Sequence, residues 1–163
     1  MRFEAFSRRA AEQRSDCLVI GVFEKGDLGP ETTAVDRTAR GRLRALLASG
    51  DLSGRAGETL LLAEVTGVRS RRVLLVGLGP RAQYGRKAWR RALQTAIQAL
   101  TRTRIASVVI ALERPARAEL DDYYFGRSTA ELTGASLYRI NDLKTTRRAR
   151  PPALARIQIG PVA

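Results

Sequence analysis

The chain has no histidine and a single cysteine in 163 residues. Without histidine, neither a Ser-His-Asp nor a Cys-His catalytic arrangement can be assembled. The usual zinc donor sets of cysteine and histidine are excluded for the same reason. One cysteine allows no internal disulfide, which suits a reducing compartment. Cys17 lies in the apolar run Cys17-Leu-Val-Ile-Gly-Val-Phe23, so it reads as a small buried hydrophobe rather than a nucleophile. No apolar run approaches the ~18 residues of a membrane span. The opening Met1-Arg2-Phe3-Glu4 has no signal-peptide core. These absences predict a soluble, cytoplasmic protein with no membrane partner.

Acidic residues are also scarce, and unevenly so. None occurs between Glu64 and Glu113, an interval that holds ten cations from Arg69 to Arg104. The formal net charge is +13. Such a field attracts polyanions and acidic partner surfaces but does not choose a fold. Candidate nucleic-acid contacts are Lys87, Arg90, Arg91 and Arg102 on one helix face, extended by Arg147, Arg148 and Arg150. Few aromatics interleave with them, so duplex phosphate contact fits better than single-strand stacking. A solvated polar face explains the same cations without a ligand.

The length suits one domain with a core large enough to fold without metal or disulfide. Hydrophobic patterning alternates strands and helices. Strands are expected at 2–7 (Phe3, Ala5 and Ser7 on one side), 17–23, 59–65, 72–76, 105–112 and 155–160. A first helix is expected from Thr33, as cap, to Ser49-Gly50, with Asp36 in its first turn. Gly41 inside that helix implies a close contact with the sheet. The clearest helix covers 85–103, with Trp89, Ala92, Leu93, Ala96, Ile97 and Leu100 on one stripe. Another covers 120–137, opened by Asp121-Asp122 as a first-turn charge pair. Residues 147–152 read as a basic, proline-containing linker. The pattern describes a three-layer α/β protein.

Chemistry-bearing constellations are few. Gly77-Leu-Gly-Pro-Arg-Ala82 follows a strand and precedes a helix, nominally as Gly-x-Gly-x-x-Ala. Pro80 removes a backbone donor, and no acid lies about twenty positions on to hold a ribose. A dinucleotide fingerprint is therefore rejected. Glu58 reads as a loop-stabilising carboxylate rather than a base.

Taken in order, Val35-Asp36, Gly41-x-Leu43, Gly50-Asp51, Gly54-x-x-Gly57-Glu58-Thr59 and Arg72-Val-Leu-Leu-Val-Gly-Leu-Gly79 resemble the amino-terminal domain of the leucyl (cytosol) aminopeptidase family. Ala135-Ser-Leu-Tyr-Arg-Ile-Asn-Asp-Leu-Lys-Thr145 resembles the segment where that family's chain leaves its first domain. The resemblance implies a macro-domain-like mixed β-sheet flanked by helices over residues 1–146. Residues 147–163 would then be a basic linker and strand leading to a catalytic domain that this chain lacks. It also implies a parent exopeptidase with two divalent metal ions (Mn or Zn) in that other domain, and a homohexameric assembly. No stretch here matches the family's catalytic motif, so no catalytic or metal residue is expected. The resemblance leaves DNA binding, known for some bacterial members, as the alternative. Macro-type folds elsewhere bind ADP-ribose, a fold-level analogy of little weight.

Overall fold

The computed structural model describes residues 1–116, 120–143 and 153–161. Among them are strands β1 (Arg2–Ala5), β2 (Cys17–Phe23), β3 (Thr59–Ala63), β4 (Arg72–Gly79), β5 (Ser107–Ala111) and β6 (Arg156–Ile159). The longer helices are α1 (Pro30–Thr38), α2 (Arg42–Ala48), α3 (Arg86–Thr101) and α4 (Asp122–Leu143). The strands form one mixed sheet in the order β1-β6-β5-β2-β4-β3. Neighbours run parallel from β1 to β4, and β3 pairs antiparallel with β4 as a hairpin.

Strand alternation sorts the core into two layers. From β2, Cys17, Val19 and Phe23 face one side, while Leu18, Ile20 and Val22 face the other. From β4, Leu74, Val76 and Leu78 join the first set, with Val73 and Leu75 in the second. The first layer is covered by α3 through Trp89, Leu93, Ile97 and Leu100, and by α4 through Phe125 and Leu132. The second is covered by Phe6, Val35, Ala39 and Leu43. A central strand buried on both faces needs apolar residues at every position, and β2 has them. Burying each large apolar side chain contributes roughly 1.5–3 kcal/mol.

The expected single helix over 33–49 is two helices. Arg40 and Gly41 both have positive φ, 56° and 78°, and the chain turns there. Asp36 explains the break. Its buried carboxylate accepts the N–H groups of Leu43 at 2.9 Å and Arg44 at 3.2 Å, and it pairs with Arg44 Nε at 3.2 Å. Asp36 thus caps α2 from outside rather than sitting in the first turn of a longer helix. Thr33 is not the cap either, since its hydroxyl donates to the Leu28 carbonyl at 3.3 Å and Pro30 opens α1. Nor does Gly41 touch the sheet, because a Cβ there would meet nothing within 4 Å. It serves the left-handed turn.

Two further expectations shift. Phe3 points outward, 41% exposed, and Phe6 is the buried aromatic at this end. Helix α4 starts at Asp122 and runs on to Leu143. Asp121 caps it by accepting the Tyr124 N–H at 2.8 Å, and Asp122 pairs with Arg114. The last strand finds two partners: β6 is inserted between β1 and β5. The boundary expected at 146/147 falls among residues outside the described ones.

Candidate functional site

In a sheet of parallel strands, ligands settle beyond the carboxyl ends, where consecutive connections leave on opposite faces. Here that place lies above β2, β4 and β5. The chain leaving β2 enters α1 under one face, and the chain leaving β4 enters α3 over the other. The first turn of α1 is amide-rich and would suit an anion.

The crevice is already occupied by the protein itself. Glu113, two residues beyond β5, is 5% exposed. Its Oε1 accepts the Thr32 N–H at 3.0 Å. A Cβ on Gly29 would lie 2.1 Å from the Glu113 Cδ, so only glycine lets the carboxylate in. The Thr32 hydroxyl turns away and donates to the Gly21 carbonyl at 2.6 Å. Tyr84 closes the arrangement by donating its hydroxyl to the Glu113 carbonyl at 2.7 Å. Burial pushes the Glu113 carboxyl above the usual carboxylate range, the charge of Glu31 adds to this, and the Thr32 and Glu31 N–H groups oppose it. Glu31 is raised too, chiefly by burial and against the pull of Arg114.

An outer ring covers the plug. Arg81 pairs with Asp27 through two hydrogen bonds, one of them Nη2 to Oδ1 at 2.9 Å. The Arg81 guanidinium also lies 4.4 Å from the centre of the Phe23 ring, which meets Tyr84 edge-on at 5.0 Å. Across the crevice, Arg114 sits 4.6 Å from the centre of Phe125 and pairs with Asp122. The result is a closed stack in which Glu113, Arg81 and Tyr84 are each engaged by a partner from the chain, while Arg114 Nη2 is buried without a hydrogen-bond partner among the described residues. It offers no free nucleophile: the Tyr84 phenol is held far above its ordinary range by burial, and Cys17 is fully buried with its thiol pushed up to about 12.

A second concavity lies beside α3. It has a volume of about 260 Å³, and its lining includes Ala56, Gly57, the 77–80 segment, Gln83, Lys87 and Arg91. The turn before it is held by Glu58, as expected of a loop-stabilising carboxylate. Its oxygens accept Ser53 N–H at 3.0 Å, Ser53 Oγ–H at 2.7 Å and Gly54 N–H at 3.2 Å. Those bonds, the serine hydroxyl foremost, hold its carboxyl below the usual range.

The structure therefore brings two of the seven candidate cations together, Lys87 and Arg91. Arg90 turns toward α4, donating from Nη1 to Ser128 Oγ at 3.4 Å. Arg102 is exposed at the far end of α3, about 16 Å along the axis from Arg91 at 1.5 Å per residue. Arg147, Arg148 and Arg150 lie outside the described residues. Sequence reasoning missed Glu113, Gly29 and the Asp27–Arg81 pair. A signal existed for the first: Glu113 is the first acid after the long acid-free interval, and it directly follows a buried strand.

Among the described residues, no group of three or more His, Cys, Asp or Glu side chains converges as a metal site. No helix among them is long and apolar enough to cross a membrane.

Comparison with known proteins supplies the remaining observations. Residues 19–147 match the model of the cytosol aminopeptidase family, N-terminal domain. A probable cytosol aminopeptidase from Nitrosomonas europaea is 34% identical over 160 residues, which is 98% of this chain and 32% of the relative. The chain thus spans about a third of the length of the curated relatives it matches. Among solved structures, tomato leucine aminopeptidase (a K354E mutant) superposes with a TM-score of 0.71 at 21% identity, over 96% of this chain and 32% of that one. A Trypanosoma brucei macrodomain in complex with ADP-ribose superposes at 0.67 and 14% identity, over 96% and 62%. These two likenesses establish the fold, a macrodomain-like mixed sheet with helices on both faces.

Proposed function

Because this chain belongs to the cytosol aminopeptidase family, as its amino-terminal domain, we propose that it is the non-catalytic part of a two-metal exopeptidase. The parent enzyme removes amino-terminal residues from peptides. Its paired divalent ions, manganese or zinc, polarise the scissile carbonyl and activate water. Among the described residues, no three or more His, Cys, Asp or Glu side chains converge to hold such ions. On this reading the metals belong to the region that the relatives carry beyond this one. The domain's own contribution is to frame access to that centre and to support assembly of subunits into a hexamer.

The observation that carries this reading is an end-to-end match to one third of each relative, combined with a strand-end crevice filled by the protein's own carboxylate. A domain that seals its most natural ligand place is suited to scaffolding. The test compares this chain alone with the same chain joined to the remaining two thirds of the Nitrosomonas europaea relative. With leucine p-nitroanilide and manganese, turnover is expected only from the joined protein, which should elute as a hexamer. Manganese-dependent turnover by this chain alone would overturn the proposal.

A further inference from the structure

We propose that the concavity between the Ala56-Gly57 turn and α3 is a binding site for a single phosphate group carried by a small molecule. Four observations converge on it. Lys87 and Arg91 are one helical turn apart, both exposed, and neither side chain forms an ion pair or hydrogen bond with any described residue. Like charges four apart on a helix repel, which opposes the helix unless an anion relieves them. No described residue supplies such an anion: α3, β4 and the loop between them fall in the acid-free interval from Glu64 to Glu113, and Glu58 beside the facing turn is engaged by Ser53 and Gly54. The lining includes Gly77 and Gly79, which carry no side chain that could fill the space.

The facing wall adds donors. The N–H groups of Ala56 and Gly57 form no hydrogen bond within the described residues. The turn that presents them is anchored from behind: Glu58 holds Ser53 and Gly54, and Gly79 N–H donates to the Gly54 carbonyl at 2.9 Å. A Cβ on Gly77 would lie 1.9 Å from the Arg55 carbonyl oxygen, so the turn is pressed directly onto β4. Main-chain donors opposite two cations suit a tetrahedral oxyanion, whose oxygens point several ways at once. The size selects among such ligands. At about 260 Å³ the space falls just below the ~300–1,000 Å³ usual for drug-sized ligands. It accommodates a phosphate group with a short organic stem, and it is too small for a dinucleotide. This site is separate from the sealed crevice and does not depend on the aminopeptidase reading.

The experiment uses the whole chain at low salt. Amide shifts are followed by NMR while inorganic phosphate, glycerol phosphate or a short DNA duplex is added. Saturable shifts at Ala56, Gly57 and Gly79 with the two small phosphates are expected. The double variant Lys87→Gln, Arg91→Gln should weaken binding about tenfold or more, with a melting temperature equal to the parent's or slightly higher, because both side chains are exposed and their mutual repulsion is removed. Arg102→Gln on the same helix should bind like the parent. No saturable shift with either small phosphate overturns the proposal. So does an equal loss in Arg102→Gln, which would indicate a diffuse charge effect. Response to the duplex alone overturns it as well, because the cations would then be reading a polymer rather than holding one group.

Discussion

The strand-end crevice and the concavity beside α3 lie on the same molecule, and their electrostatics are opposite. Over the strand ends, the donors that face the crevice meet acceptors from the chain at two places: Thr32 N–H meets Glu113, and Arg81 meets Asp27. Beside α3, the Lys87 and Arg91 side chains meet no counter-charge among the described residues. The first region is finished by folding, and the second is left for something else to finish. Charge counts alone would have pointed to every cation equally. The contrast shows that what matters is whether a counter-charge arrives with the fold.

The strongest way to break the contrast is to empty the crevice. Glu113→Ala leaves the Thr32 and Glu31 N–H groups without their acceptor in a buried place, at a cost of about 3 kcal/mol in urea unfolding. A loss well under about 1 kcal/mol would mean that water fills the gap and that the plug is not structural.

Next in size is Asp36→Ala, which removes the carboxylate that holds the amino end of α2. It should lower stability by about 1–2 kcal/mol. Hydrogen exchange should quicken across 42–48 first.

The carboxylates also differ in pH response, with both directions present over the strand ends. Glu113 and Glu31 have raised folded values, so the folded state binds their protons more tightly than the unfolded chain does. Their contribution is most favourable below the ordinary glutamate value and is lost as pH rises from there through the raised value. Glu58 and Asp27 are lowered, so theirs is present above the ordinary value and lost as pH falls. Glu113→Gln keeps an oxygen for Thr32 and should flatten the decline on the rising side without altering the acid side. Melting temperature against pH for the two proteins measures this. An unchanged rising limb would remove Glu113 as its source.

The smallest effect is expected from Asp27→Asn. The Asp27–Arg81 pair is half-exposed, and such pairs contribute at most about 1 kcal/mol. A larger loss in a melt would mark the outer ring as part of the seal.

How much of this was legible in the sequence follows from distance along the chain. Strand β2 and helix α3 were readable because their apolar periodicity is local. Glu58 was readable for the same reason, since its partners Ser53 and Gly54 are within five residues. The break at Gly41 was not, because the capping carboxylate comes from a buried residue in the preceding helix and overrides the apolar stripe that runs through both. Glu113 was harder still: it meets Thr32 across 81 positions, and nothing local announces that approach. At the concavity, the cations were visible but not their grouping. Only the packing of the 54–57 turn onto β4 separates Lys87 and Arg91 from Arg90 and Arg102.

The placement of β6 carries a consequence for biogenesis. Among the described residues, strand β1 pairs only with β6, with Arg2 opposite Arg156 and Ala5 opposite Ile159. While the polypeptide emerges from the ribosome, the first strand made must wait unpaired for almost the entire domain to be translated. Until then β5 also shows a bare edge, which invites other nascent strands. Long-range closure of this kind slows the final step, and the sheet becomes whole only when Ile159 has cleared the exit tunnel.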